Sequence, residues 1–319
     1  MNKLQTLPYL LIVDDLHSVF LEALEENEIP YDYRPLIKKE EALTIVGKYD
    51  GLIIRSKFKV DATFIDSAPQ LKIIGRVGAG VDNIDEAYAE NRGIKLLSAP
   101  EGNCDAVGEH MVGMLLTLLN KLTIANSQVR SGLWLREENR GIELGGKTVG
   151  LIGYGNNGQA MARKLAGFGV EVLAYDKYKT GFTDQFATEV ELEALFLRAD
   201  ILSLHIPLTS ETRNLVNQRF LRKFQKPIFF LNGSRGEIVD VEAVIDGLER
   251  KLILGAGLDV LAIEKFPALN DTTWYQKLIS FPNVVLSPHV AGWSVQSYFK
   301  LSKVLADKLI SFIRSNYSK

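Results

Sequence analysis

Short runs of unbroken apolar residues recur along this sequence of 319 residues, each followed by a turn and then a stretch of helical length and pattern. In the first third they are "YLLIVDD" (9–15), "GLIIRS" (51–56), "LKIIGRVGAG" (71–80) and "GIKLLSAP" (93–100). Continuous rather than alternating apolarity means that both faces of a strand are covered, the condition of a parallel sheet flanked by helices. From residue 146 the pattern restarts with "KTVGLIGYG", "VEVLAYD", "ADILSLHIP", "PIFFLNGSRG", "ILGAGLDV" and "NVVLSPH". The expected fold class is therefore α/β, with two parallel sheets in two Rossmann-like or flavodoxin-like domains, which the length accommodates.

Between the two sets lies "NCDAVGEHMVGMLLTLLNKLTIAN" (103–126), apolar around much of its circumference. A helix apolar on several faces needs burial beyond one sheet, so a subunit interface is expected there. The last segment, "VQSYFKLSKVLADKLISFIRSNY", reads as a long amphipathic helix returning to the first domain. With 46% hydrophobic and 24% charged residues and no apolar run of roughly 18 or more, a water-soluble globular protein is expected. A net charge of −2 argues against nucleic acid or an anionic membrane as partner. The single cysteine, Cys104, excludes an intrachain disulfide and a cysteine-based zinc site, and no metal is expected. The N-terminal "MNKLQTLPYLLIVDD" lacks a signal-peptide pattern, so the expected location is cytoplasmic.

"VGLIGYGNNGQAMARKLAGFGVEVLAYD" (149–176) holds Gly153, Gly155 and Gly158 in G-x-G-x-x-G spacing. With 26 glycines in the chain, composition alone yields about one accidental match per six such sequences, so the spacing by itself is weak. Its context is stronger: an apolar strand precedes it, a helix with Met161, Leu165 and Phe168 on one face follows, and a second strand ends in Asp176. The glycines permit a tight turn and close approach of backbone to a pyrophosphate, and the helix start presents unpaired N–H groups. Asp176 can accept from a ribose 2′-hydroxyl and repels a 2′-phosphate, so the expected cofactor is NAD. Tyr154, Asn156 and Asn157 lie inside this loop and belong to the expected cofactor site.

In parallel α/β sheets ligands bind beyond the carboxyl ends of the strands. In the second set those ends carry His205 with Pro207 after it, Asn232 to Arg235, Asp259 with Glu264 on the following loop, and His289. An arginine, an imidazole and carboxylates are what hydride transfer to a 2-keto acid requires. Arg235 can grip a substrate carboxylate and polarise the adjacent carbonyl. His289 can pass a proton to or from the hydroxyl, and Glu264, if it contacts the other ring nitrogen, favours the charged imidazole. Read singly, each has a structural alternative: His289 as a hydrogen-bonding strand end, Arg235 as a turn cap, Glu264 as solvated surface. His205 contributes backbone to the nucleotide site while its ring reads as structural, as does His110 on the apolar helix.

Taken in order, "RSKFKVD", "GRVGAGVDNID", "APEGNCDAVGEH", "GIELGGKTVGLIGYGNNG", "LHIPLTSETRNLVN", "NGSRGEIVD", "GAGLDV" with Glu264, and "SPHVAGW" resemble the D-isomer-specific 2-hydroxyacid dehydrogenases, and within them the 3-phosphoglycerate dehydrogenases. The resemblance implies a dimer, joined here through residues 103–140, with the cofactor domain (101–290) inserted into a discontinuous substrate domain (1–100 with 291–319) and the active site in the cleft between them. It implies that Arg235, Glu264 and His289 are the catalytic trio, that Asp259 meets the nicotinamide carboxamide, and that Asn232 belongs with it to the cofactor site. The backbone of Gly78, Ala79 and Gly80 then meets the substrate carboxylate, and Asn103 shapes the cleft.

Arg55, with Ser56 after it, and Arg76 end neighbouring apolar strands, and two guanidinium groups converging on a cleft suit a phosphate. By the resemblance both are phosphate contacts, and Arg136 in "LWLRE" is one supplied by the partner subunit. In the alternative reading Arg55 serves the substrate carboxylate and Arg76 is a surface strand end. Three departures stand out: Asn157 before the third glycine, Cys104 in place of threonine or alanine, and "AGW" after His289 where many phosphoglycerate enzymes have glycines and serine. The chain ends near the close of the catalytic unit, so a serine-sensing regulatory domain is not expected. The implied activity is NAD-dependent oxidation of 3-phospho-D-glycerate to 3-phosphooxypyruvate in serine biosynthesis. The alternatives are glyoxylate or hydroxypyruvate reduction, 4-phosphoerythronate oxidation, or an NAD-sensing role like that of the related corepressors.

Overall fold

Side chains along the apolar runs of the first third alternate between two separate cores. In the computed structural model, which describes residues 7–317, Leu11, Leu52, Ile54 and Ile74 enter one core, and Leu10, Ile12, Ile53 and Ile73 the other. Residues 1–6, part of the N-terminal stretch read above for targeting, and 318–319 lie outside the described residues. The strands are β1 (Leu10–Ile12), β2 (Tyr31–Tyr33), β3 (Gly51–Ile54), β4 (Ile73–Arg76) and β5 (Lys95–Ser98), all parallel in the order β2-β1-β3-β4-β5. Because successive residues of a strand point to opposite faces, an unbroken apolar run fills both cores at once, each buried aliphatic side chain contributing roughly 1.5–3 kcal/mol. The edge strand β2, "YDY", is half-buried, and its alternation hid it from a search for continuous apolar runs.

The C-terminal helix Val295–Tyr317 closes one face of this sheet with Leu301, Leu305, Leu309 and Ile313, a stripe at the spacing of one helical face. Its start is fixed by a reciprocal pair: Ser297 N donates to Ser294 Oγ at 3.0 Å and Ser294 N to Ser297 Oγ at 2.8 Å. The chain divides into two units, Met1–Asn103 with Trp293–Lys319, and Cys104–Gly292.

The second unit holds β6 (Thr148–Ile152), β7 (Glu171–Tyr175), β8 (Thr188–Glu189), β9 (Ile201–Leu204), β10 (Ile228–Asn232), β11 (Ile253–Leu258) and β12 (Val284–Leu286), parallel in the order β12-β11-β10-β9-β6-β7-β8. The chain runs outward from β6 to β7 and β8, then returns to β9 on the other side of β6. This reversal leaves a crevice outside the carboxyl ends of β6 and β9, where ligands of such sheets bind. β8, of two residues, carries no apolar run and escaped the sequence reading. Val284, Val285 and Leu286, read as a buried strand, form a half-buried edge.

Two expectations for this unit need correction. Phe168 does not share the buried face of helix Asn156–Leu165, because a 3₁₀ turn follows the helix and leaves Phe168 at the surface. The apolar stretch 103–126 is not one helix, and much of its apolar surface is covered within the unit. Helix Cys104–Leu119 buries Val107, Met111, Leu115 and Leu118 inside its own unit, and a left-handed Lys121 (φ 52°) then breaks the chain. The following helix, Leu122–Arg130, buries no residue, and the exposed apolar side chains of this region lie from Leu122 to Ile142, with Trp134 77% exposed.

Candidate active site

Parallel pairing brings three loops together at one end of the second sheet. Asn232 of β10 lies opposite Leu258 of β11, and Leu258 opposite Leu286 of β12, so the loops bearing Arg235, Glu264 and His289 leave adjacent strands at the same level. Asn232, 1% exposed, accepts from Ser234 N at 3.0 Å and donates to the Arg235 carbonyl at 3.0 Å, while Ser234 Oγ donates to Leu204 O at 2.8 Å. The turn is thereby tied to β9, and Arg235 Nη1 donates to the Ser234 carbonyl at 2.7 Å. Gly236 is sterically required, since a Cβ there would run into the Leu261 backbone at the start of the loop that carries Glu264.

His289 stands in the left-handed region (φ 55°), a conformation unfavourable for a residue with a Cβ and held here by its surroundings. Its N–H donates to the Asp259 carbonyl at 2.7 Å. Asp259, 1% exposed, folds the next turn around its carboxylate: Oδ1 accepts from Val290 N at 2.9 Å and Ser287 Oγ at 2.6 Å, and Oδ2 from Ala291 N at 2.9 Å. The ring of His289 then meets Glu264, with Nδ1 2.9 Å from Oε2. This hydrogen bond is the main reason that the imidazole pKa is raised, partial burial and the positive charge of Arg235 opposing it. His110 joins the same network, its Nε2 2.9 Å from Ser287 Oγ and 3.6 Å from Asp259 Oδ1. From sequence His110 read as structural and Ser287 was not singled out, although Ser287 ends a strand and that position was itself a signal.

The crevice beside β6 is glycine-built. Gly153 has φ 95° and its missing Cβ would press on the His205 carbonyl, while Gly158 packs against the Gly153 carbonyl. The Cβ position of Gly155 faces open space, at the start of a helix whose first turn has no side-chain cap. Such a turn leaves backbone N–H groups available to a phosphate. Asn156 and Asn157 open this helix, and the buried Asn157 Oδ1 has no hydrogen-bond partner.

Asp176 Oδ2 accepts from Tyr154 N at 2.9 Å and Oδ1 from Tyr178 N at 3.0 Å, which fixes its carboxylate beyond β7. The Tyr154 ring turns away into the core, its hydroxyl 2.9 and 3.0 Å from the Asp184 oxygens, so only its backbone faces the loop. The His205 ring is set deep, with Nε2 3.0 Å from Ser203 Oγ, and burial lowers its pKa to about 4, keeping it neutral. The Pro207 carbonyl accepts from Thr212 Oγ1 at 2.7 Å, closing the loop after β9.

In the first unit Arg55 follows β3, and Arg76 ends β4 opposite Ile54. The Arg55 guanidinium lies over the Trp293 ring, 4.6 Å from its centroid, and the Arg76 side chain folds back against Gly78. Each guanidinium is therefore turned onto its own surroundings. Buried Asp14, absent from the sequence reading, positions this loop: its Oδ2 accepts from the N–H groups of Arg55, Ser56 and Lys57 at 2.6, 3.0 and 3.2 Å. Ala79 and Gly80 are half-buried beside Gly78. Asn103 has its Oδ1 buried without a hydrogen-bond partner, and Arg136 is exposed. Among the described residues no group of three His, Cys, Asp or Glu is placed to hold a metal, and no helix is long and apolar enough to cross a membrane.

Residues 112–291 match the sequence profile of the family described as D-isomer specific 2-hydroxyacid dehydrogenase, NAD binding domain. The chain is 35% identical over 285 residues to the hydroxypyruvate reductase of Thermotoga maritima, covering 89% of this chain and 90% of that protein. It is also 35% identical over 306 residues to the D-3-phosphoglycerate dehydrogenase of a Synechocystis strain, where the match covers 95% of this chain and 54% of the relative. Among solved structures, D-lactate dehydrogenase from Aquifex aeolicus complexed with NAD and lactic acid superposes with a TM-score of 0.81 at 25% identity, over 97% of this chain and 96% of that one.

Proposed function

Because the chain belongs to the D-isomer specific 2-hydroxyacid dehydrogenases, NAD-dependent oxidoreductases, we propose that it oxidises 3-phospho-D-glycerate to 3-phosphooxypyruvate, as in serine biosynthesis. The observation that carries the catalytic half of this reading is the 2.9 Å contact between His289 Nδ1 and Glu264 Oε2, beside the loop of Arg235. His289 accepts the hydroxyl proton through its remaining ring nitrogen, Glu264 stabilises the imidazolium that results, and Arg235 grips the substrate carboxylate. Bound NAD supplies the hydride acceptor. The residues at hand suit it: Gly155 leaves room at an uncapped helix start, and Asp176 is held where a ribose hydroxyl finds an acceptor. Asn232 and Asp259 hold the turns that border this region, and the backbone at His205 and Pro207 forms its far side.

The substrate half rests on Arg55 and Arg76, cations one residue apart in register on adjacent strands, beside the Gly78 to Gly80 backbone that takes the carboxylate. Ser56 and Asn103 belong to the same substrate site, and Arg136 is contributed by the partner of a homodimer. The exposed Leu122, Val129, Leu133, Trp134 and Ile142 support that dimer face. The first unit is the substrate domain and the second the NAD domain, and the lone cysteine accords with the reducing cytoplasm.

A second reading, hydroxypyruvate or glyoxylate reduction, draws on the near full-length match to a hydroxypyruvate reductase. An NADH-absorbance assay across 3-phosphoglycerate, 4-phosphoerythronate, hydroxypyruvate, glyoxylate and D-lactate separates the two, together with Arg76→Ala. That substitution is expected to damage use of the phosphorylated substrate far more than use of glyoxylate, and equal losses overturn the phosphate assignment.

A further inference from the structure

Trp293 is the departure in "SPHVAGW" that the proposed function leaves unused. It is 49% exposed, and the guanidinium of Arg55 lies against it with its central carbon 4.6 Å from the ring centroid. A guanidinium spread over an aromatic face keeps its N–H groups directed outward in its own plane, where a carboxylate or phosphate engages them in a fork. The indole therefore constrains how the cation is presented without competing for its donors.

The mount of Trp293 is stiff. The residue immediately precedes Ser294, whose exchange of hydrogen bonds with Ser297 fixes the start of helix Val295–Tyr317. Tyr298 packs against the indole at 5.6 Å with planes at 70°, and its hydroxyl donates to Asp15 Oδ2 at 3.0 Å. Tyr33 OH donates to the other Asp15 oxygen at 3.1 Å. Arg55 is held at its opposite end as well, its N–H donating to buried Asp14 at 2.6 Å. An arginine fixed at both backbone and guanidinium has already lost the rotamer freedom that anion binding otherwise consumes.

We propose that Trp293 is a positioning residue for substrate: through Arg55 it sets the affinity for the anionic group of the 2-hydroxy acid, without taking part in hydride or proton transfer. The inference rests on the reading above that Arg55 contacts substrate. Its test is a double-mutant cycle of Trp293→Ala and Arg55→Ala, with Trp293→Phe as the conservative variant. Steady-state kinetics would be measured with 3-phospho-D-glycerate and NAD and, in the reverse direction, with glyoxylate and NADH.

Trp293→Ala is expected to raise the KM of the accepted acid by about 3- to 30-fold with kcat little changed, and Trp293→Phe by less, since a phenyl face holds a guanidinium more weakly than indole. In the Arg55→Ala background neither substitution should raise KM further. Additive losses, or a fall in kcat at constant KM, overturn the positioning role, as does an Arg55→Ala enzyme of unchanged KM. Should Trp293→Ala not fold, Trp293→Phe carries the same cycle. Failure to turn over 3-phosphoglycerate while glyoxylate is reduced overturns the substrate assignment instead, and the cycle is then read with glyoxylate.

Discussion

Glu264 Oε2 and His289 Nδ1 lie 2.9 Å apart although they sit on loops after different strands, and this carboxylate is the main cause of the raised imidazole pKa. In the proposed mechanism oxidation needs the neutral ring as proton acceptor, so kcat/KM for the hydroxy acid is expected to fall as pH drops below the raised pKa. Reduction needs the imidazolium and falls as pH rises above it. In Glu264→Gln the ring loses its anionic partner and its pKa moves down, so both limbs shift to lower pH. Oxidation then persists further into acid and reduction is lost sooner in alkali. Profiles that coincide with wild type would detach Glu264 from the imidazole.

His289→Ala removes the proposed proton carrier and leaves the crevice beside β6 untouched. Turnover is expected to fall by about 10²- to 10⁴-fold, while NADH binding, followed by its fluorescence, stays close to wild type. Unchanged turnover removes His289 from the mechanism.

Asp176 is fixed by the N–H groups of Tyr154 and Tyr178, which leaves its remaining lone pairs for a ribose. Asp176→Ser is expected to weaken NAD by about ten-fold or more, the worth of a hydrogen bond to a charged group, and to improve use of NADP by relieving repulsion of its 2′-phosphate. The ratio of kcat/KM for the two cofactors measures both effects. A ratio that stays put would show that selection lies elsewhere.

Gly236→Ala places a methyl group into the Leu261 backbone. One of the two loops must yield, at a cost of about 1–3 kcal/mol, and they carry Arg235 and Glu264. Both the thermal midpoint and kcat are expected to drop. A variant with normal kcat would mean that the loops separate without disturbing the site.

Burial holds His205 neutral, with a pKa of about 4 against an ordinary 6.5. Above pH 6.5 the ring is neutral in folded and unfolded chains alike and affects neither. As pH falls from 6.5 towards 4 only the unfolded chain takes up the proton, so stability declines across that window, by on the order of 3 kcal/mol in all. His205→Gln should flatten this part of the stability profile relative to wild type in chemical denaturation. Parallel profiles would show that the ring gains a proton without unfolding.

What the sequence legibly carried was local. An unbroken run such as "YLLIV" demands cover on both faces, and Gly153, Gly155 and Gly158 followed by an amphipathic stretch imply a strand, a turn and a helix within one segment. Arg235, Asp259 and His289 were conspicuous for a related reason: a polar residue closing an apolar run stands at the strand end, where parallel sheets bind ligands. Short edge strands such as β2 and β8 were hidden because one exposed side removes the apolar signal.

Contacts between distant segments were decided by the tertiary structure. Asp14 in "VDD" looks like any acidic strand end until β1 and β3 pair and bring the N–H groups of residues 55–57 to its carboxylate. His110 reads as one polar residue on an apolar helix until that helix packs beside β12 and its ring meets Ser287. Trp293 and Arg55, separated by most of the chain, meet because the C-terminal helix returns to the first sheet. Spacing and polarity specify what each segment needs to bury, whereas the partner each polar group finds depends on which strands pair and in what register, a property of the assembled sheets alone.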